Sequence, residues 1–495
     1  MSRAGKDFGT AEALEAAWPA APGQRNWSGW GLFGVSVSAA VATWVFIIGG
    51  FVSYYLPAGT GMIAMVAGSL VGIVLVVLAI LPVSARFGVD TVAAIRPQLG
   101  VKGSYLGLIQ LYLSVVGWNT LLLIFLGRAL ADILISLNVL GEGSRNTFAV
   151  LAALGGAVVV WALLRGGPDV MRKVSAVVAI SVGLLSIVFL YLLIHEVGLS
   201  TIFDAKPSAS TGSKVTDYTL GFETLAVSNL SWWAYAGGMV RFVPSARKAL
   251  WPVVFGLGLP VSLLSFIGLF AGLAVPDSGG DPTAFLVETA GSAGAIPALL
   301  FIILANVGTV MVGVYVSAIG LKQIPTLQAR LSWNTTTAAA LAPVAIVVIF
   351  FGNWFFDHFG TFLAFLGVAF APLVGIGIVD YYVLRRRRVS LRGLFDHTPQ
   401  GAYHFWGGIN PAAIVGLVVG AVVYILLLDP VSYESHAPFQ YLSATLPSAF
   451  LAAVAYWLVT KLVVIPAGKG GYADAEAAAT AAPVAPEPVA EPVAR

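Results

Sequence analysis

Apolar runs of about 20 residues, the length that carries a helix across roughly 30 Å of hydrocarbon, recur from one end of the chain to the other. Twelve can be traced, beginning near Leu32, Thr60, Gly103, Thr147, Lys173, Phe222, Leu250, Ile296, Thr335, Thr361, Ala412 and Ala444. A membrane strand would be about ten residues of alternating polarity, so helices are the reading. The composition agrees, with 58% hydrophobic and 10% charged residues where a soluble domain carries about 25% charge. No soluble fold could cover its surface with so few polar groups. The expected fold class is an all-α polytopic membrane protein of about twelve transmembrane helices.

Lysine and arginine collect in cytoplasmic loops. With the N-terminus inside, the even-numbered connections are indeed the basic ones. They hold Arg86 and Arg96; Arg165, Arg172 and Lys173; Arg241, Arg247 and Lys248; Lys322 and Arg330; then Arg385 to Arg388 with Arg392. The opposite loops carry Asp277, Asp281 and Glu288, or Asp357, or Asp429 and Glu434, and little basic charge beyond Arg145, Lys206 and Lys214. This distribution predicts a multi-pass protein of the cell (plasma or inner) membrane with both termini cytoplasmic. Residues 1–31 read as a cytoplasmic tail without the pattern of a signal peptide, and residues 466–495 as a disordered Ala/Pro/Glu-rich tail.

Several functions are excluded at this level. A net charge of +3 gives no nucleic-acid footprint. The absence of cysteine removes thiolate metal sites, iron–sulfur ligation and cysteine nucleophiles. All five histidines, His195, His358, His397, His404 and His436, fall at span ends or in loops, so no histidine pair at metal spacing lies in the membrane. Mid-span polar residues are mostly Ser, Thr and Asn with tryptophans, which suits hydrogen-bonding a neutral flat molecule better than acid–base catalysis. We therefore expect no enzyme and no cofactor. Arg128, Asp132, Glu223, Arg241 and Asp380 fall near span ends, and none reads as a buried proton relay.

Four spans hold the candidate residues. The first, GVSVSAAVATWVFIIGGFV, strings together Ser36, Ser38, Ala39, Ala40, Thr43 and Gly49-Gly50. It is either a broken helix whose freed carbonyls hold a cation or a close-packing face of small residues. The sixth carries Ser228, Asn229, Ser231, Trp232 and Trp233 at mid-depth with Gly237-Gly238 beyond, polar groups that need a neighbouring helix or a substrate as partner. Neighbouring tryptophans point about 100° apart on a helix, so at most one of Trp232 and Trp233 lines a site. In the eighth, Asn306 and Thr309 share a face, fit either to complete an oxygen shell around Na⁺ or to bond an adjacent helix. In the third, Trp118 and Asn119 lie mid-span, where an indole is either packing or a ligand platform.

The stretch SARFGVDTVAAIRPQLGVKGSYLGLIQLYLSVVGW resembles the second-to-third span connection of the nucleobase:cation symporter-1 family, the cytosine, purine, allantoin and hydantoin permeases. FLGVAFAPLVGIGIVDYYVLRRRR, from Phe365 to Arg388, is similar to the family's tenth span, and Gly407 to Asn410 to the motif before its eleventh. The resemblance implies a five-plus-five inverted repeat, residues 32–197 and 222–384 in a core of 32–384, with two extra C-terminal helices in 385–465. It implies that the first and sixth spans are interrupted and that substrate sits near the midplane between them and the third and eighth. By the same resemblance Trp118 and Trp232 would stack on a planar base and Ser228, Asn229 and Ser231 would read its edge, to which we add Asn119 beside Trp118. The carbonyls near Ser38 and Val41, with Asn306 and Thr309, would hold a sodium ion.

The chain departs from the family pattern at Gly238, which replaces an acidic residue, at Val310, Met311 and Val312, which replace polar ones, and at Ala371, which replaces a proline. These leave fewer side-chain partners for a base and point to a substrate smaller, less polar or otherwise unlike cytosine. The expected function is import of a nucleobase or related small nitrogen heterocycle, coupled to Na⁺ or H⁺ by alternating access in a monomer surrounded by lipid. The alternatives are a transport-inactive substrate sensor and an amino-acid-type transporter of the same fold.

Overall fold

The computed structural model describes residues 17–276 and 282–472. Asp277, Asp281 and the tail from residue 473 lie outside the described residues. Each of the twelve apolar runs is helical. In chain order the helices are α1 (Gly29–Ala40), α2 (Trp44–Ser53), α3 (Ala58–Phe87), α4 (Ser104–Ser136), α5 (Arg145–Leu164), α6 (Gly167–Val197) and α7 (Lys214–Leu230). They continue as α8 (Trp233–Val240), α9 (Ala246–Ala274), α10 (Pro282–Lys322), α11 (Trp333–Asp357), α12 (Phe359–Leu384), α13 (Pro411–Leu427) and α14 (Thr445–Val464). Among the described residues nine helices are long and apolar enough to cross a membrane, and the pair α1 and α2 makes a tenth, bent by 58°. The remaining two runs are α13, 17 residues long, and the pair α7 and α8, parted at Ser231 and Trp232.

Both interrupted spans open a half of the core, and each leans on a neighbour through small residues. A Cβ on Gly49 of α2 would sit 1.9 Å from the Ser265 carbonyl of α9, and one on Gly268 of α9 would sit 1.8 Å from the Phe46 carbonyl of α2. Likewise Gly68 and Gly72 of α3 face the Phe222 and Ala226 carbonyls of α7, where a Cβ would come within 2.1 and 2.4 Å. Backbone contact of this kind maximises dispersion where lipid offers no hydrophobic gain for helix association. Helices α5 and α11 form the rim and are mostly exposed to lipid.

The side on which residues 17 and 472 lie is sealed by segments the sequence assigns to tails and loops. Residues 17–28 are ordered as a strap: the Ala20 amide donates to Gly88 O (2.8 Å) and the Trp27 amide to Phe242 O (3.1 Å). Arg25 donates to the carbonyls of Ala85, Arg86, Val243 and Pro244, and Gln323 Nε2 to Ala17 O. Gly88, in the left-handed region at φ +70°, ends α3 so that the strap can reach it.

Residues 466–472 likewise fold back and bury Tyr472, so the tail expected from 466 begins as packed structure. Arg385 does not join a solvated basic loop. Its Nε donates to Asp380 Oδ2 at 2.8 Å, and its Nη atoms to Gly470 O and Pro97 O, each at 2.7 Å. Tyr456 and Tyr472 both donate to Asp380 Oδ1 at 2.8 Å. Asp380 and Arg385 are fully buried, so removing one strands the other. Arg385→Ala is expected to cost about 3–5 kcal/mol, read as a lowered thermal midpoint of the detergent-purified protein.

Candidate functional site

The interruption between α1 and α2 organises the centre of the molecule. At residues 41–43 the backbone leaves the helix: Val41 is extended (φ −99°, ψ 93°), and the Val41 amide closes the last turn of α1 on Val37 O at 2.9 Å. A break in lipid must find other hydrogen-bond partners, and α10 supplies them. Asn306 Oδ1 accepts from the Thr43 amide (3.2 Å) and the Thr43 hydroxyl (2.9 Å), while Asn306 Nδ2 donates to Leu122 O of α4 (3.0 Å). One turn on, the Thr309 hydroxyl reaches Ser38 O (3.2 Å) and Ala39 O (3.0 Å).

Thus Ser38 and Thr309 come together as oxygens at the C-terminal end of α1, where the helix dipole favours a cation. Among the described residues no backbone amide donates to the carbonyls of Ala40 or Val41, which lie at the same end. Asn306 stands on the α2 side of the break, where its oxygen is already engaged by Thr43.

Beside this break lies a small void lined by Trp44, Trp118, Leu122, Ser231, Trp232, Tyr235 and Thr309, with room for little more than one water molecule. Trp118 is 15 residues into the 33-residue α4, near mid-membrane. The indoles do not form a parallel pair. Trp44 stands between the others, its ring 5.0 Å from Trp118 at 61° and 6.1 Å from Trp232 at 60°. Trp118 is closed from the far side by Phe359 and Phe362 of α12, at 5.5 and 5.8 Å. Its indole nitrogen is buried without a partner, a donor left for whatever enters.

The expected edge-reading residues divide. Ser231 lines the void, its hydroxyl turned to Ser228 O. Ser228 donates back along its own helix to Thr224 O (2.6 Å). Asn229 faces α3, giving Nδ2 to Ser69 Oγ (2.5 Å) and Ser69 O (3.1 Å), while its Oδ1 accepts from the Trp232 indole at 3.1 Å. It therefore orients Trp232 instead of lining the void. Asn119 packs against Gly313 of α10, with an unpartnered Oδ1 and no place in the lining. Trp233 points elsewhere, onto Phe370 at 5.5 Å, as the 100° rule requires of one of the two neighbours.

Trp44 escaped the sequence reading. Its position at the first turn after the break is what aims it inward, and a Thr-Trp pair following a run of small residues was the available signal.

Residues 19–461 match the family model described as "Permease for cytosine/purines, uracil, thiamine, allantoin". The chain belongs to this family, the nucleobase:cation symporter-1 transporters. It is a membrane transporter and not an enzyme. It is 24% identical over 486 residues to a protein of Arabidopsis thaliana named purine-uracil permease NCS1, covering 89% of this chain and 76% of that one. Its fold is similar to that of Mhp1, a nucleobase-cation-symport-1 family transporter solved in a closed conformation with bromovinylhydantoin bound, at TM-score 0.73 and 18% identity, over 90% of this chain and 95% of that one. A Na⁺-coupled sialic acid symporter is similar at TM-score 0.61 and 13% identity, over 92% and 96% of the two chains. The all-helical inverted-repeat architecture expected from the sequence is therefore the fold of this symporter.

Because Asn306 satisfies groups on both sides of it, Asn306→Ala is expected to destabilise the ligand-free protein by about 1–3 kcal/mol. Thermal unfolding without substrate measures this directly.

Proposed function

We propose that this symporter imports a planar nitrogen heterocycle of the nucleobase or hydantoin kind, driven by Na⁺ or H⁺ through alternating access. The observation that carries the reading is the contiguity of two sites. The void walled by Trp44, Trp118 and Trp232 shares Thr309 with the oxygen cluster at the end of α1. Aromatic walls suit a flat ring, and carbonyl and hydroxyl oxygens suit a hard cation. An ion that orders the break between α1 and α2 also orders Trp44, the first residue of α2, so ion and substrate each tighten the other's binding.

The polar supply at the void is limited to the hydroxyls of Ser231, Tyr235 and Thr309 and the free Trp118 N–H. That supports a substrate held chiefly by its faces, with few polar contacts on its edge, in line with the loss of polar positions at Gly238 and Val310 to Val312. Trp118 and Trp232 are the proposed stacking residues and Ser231 an edge contact. Ser38, Val41 and Thr309 are the proposed cation ligands, with Asn306 bracing them. The void holds little more than one water molecule, so a substrate enters only when an indole moves.

A thermal-shift screen of the purified protein against cytosine, uracil, adenine, hypoxanthine, allantoin and hydantoins, with and without Na⁺, tests the proposal. A ligand at 100 times its dissociation constant adds about 2.7 kcal/mol of stability, and the true substrate should shift the midpoint more when sodium is present. Trp118→Ala should abolish that shift while the unliganded protein stays folded. Thr309→Val removes a hydroxyl shared by both sites and should weaken the substrate shift while removing its dependence on the ion. Uptake into proteoliposomes then separates transport from mere sensing, since a sensor does not exchange label across the membrane.

A further inference from the structure

Away from the central site, α4, α5 and α11 enclose a second cavity of about 170 Å³. An enclosed small-molecule pocket takes roughly 300 Å³ or more, and this one instead opens sideways past Phe350 and Phe351, both exposed on the rim of the molecule. Its lining changes character with depth. Arg128, Asn146 and Asn353 stand at the end remote from the strap of residues 17–28, and Ile124, Val150 and Val348 continue it towards mid-membrane.

Two observations set that end at headgroup level. Helix α4 has 33 residues, about 50 Å, so it overshoots a roughly 30 Å core by about 10 Å at each end. Arg128 precedes the end of α4 at Ser136 by about 12 Å of rise, so its Cα lies just inside that boundary and its long side chain reaches the interface. Trp354, exposed one turn before the end of α11, sits where aromatic belts mark the interface.

Among the described residues no carboxylate contacts the Arg128 guanidinium, with Asp357 and Asp132 lying near it but not bonded to it. Its Nη2 donates to Asn353 Oδ1 at 2.6 Å and its guanidinium lies 4.0 Å from the Phe356 ring centre. The carboxylate one turn along, Asp132, is held by Arg145 through contacts of 2.5 and 2.8 Å. A half-buried guanidinium with free donors, at the mouth of an apolar crevice open to lipid, matches an amphiphile with an anionic head.

We propose that this crevice binds one anionic phospholipid of the leaflet remote from the strap of residues 17–28, its phosphate on Arg128 and an acyl chain along Val150 and Val348. Helix α4 also carries Trp118, so the lipid would bear on the helix that forms one wall of the substrate site.

The test uses the full-length protein in nanodiscs of phosphatidylcholine with a minority of phosphatidylglycerol, followed by native mass spectrometry of the lipid retained. The expected result is selective retention of one phosphatidylglycerol, weakened about fivefold in Arg128→Gln and unchanged in Arg165→Gln at the opposite end of the rim. Val150→Trp fills the crevice with the charge intact and should also lose the lipid, which keeps the test decisive if Arg128→Gln fails to fold. Equal retention of the two lipids, retention unaffected by both crevice variants, or displacement by millimolar inorganic phosphate would overturn the proposal. None of these outcomes depends on the identity of the transported substrate.

Discussion

A backbone that leaves the helix inside a membrane must find its hydrogen bonds elsewhere, and the centre of this protein is arranged around that requirement. The break at residues 41–43 frees donors and acceptors that water cannot reach. Asn306 and Thr309 of α10 satisfy them from opposite sides, and Asn306 ties the same point to Leu122 of α4. Three helices from both halves of the core therefore converge on one interruption. The carbonyls at the end of α1 and the indole at the start of α2 follow from it, so the candidate ion and substrate sites share a single cause.

Much of this was readable from residue types. Twelve apolar runs correspond to twelve helical stretches because the hydrophobic length of a span is set by the bilayer and not by tertiary packing. The three-residue spacing of Asn306 and Thr309 placed them on one face, and of the two alternatives left open for them the bonding to neighbouring helices is the one seen, Asn306 to Thr43 and Leu122 and Thr309 to Ser38 and Ala39.

What escaped was direction. Periodicity says which side chains share a face but not which neighbour that face meets. Asn229 met Ser69 of α3, and Trp44 was turned inward by a change of helix axis that no periodic pattern encodes. Composition also misjudged the ends. Residues 17–28 and 466–472 are too polar or too rich in small residues to suggest packing, yet carbonyl partners and one buried tyrosine hold them. Arg385 was counted among loop charges because its partner, Asp380, lies across a π-turn that brings the two together.

The strap of residues 17–28 has a consequence for how the molecule is made. It leaves the ribosome ahead of α1, yet Arg25 rests on Val243 and Pro244, 218 and 219 residues later in the chain. Its docking surface does not exist until α8 has been inserted and α10 has brought Gln323 to Ala17. Such long-range closure is slow because the intervening loop must first be ordered. A segment synthesised ahead of α1 is thus among the last to reach its place, and its arrival reports that both halves of the core have assembled around each other.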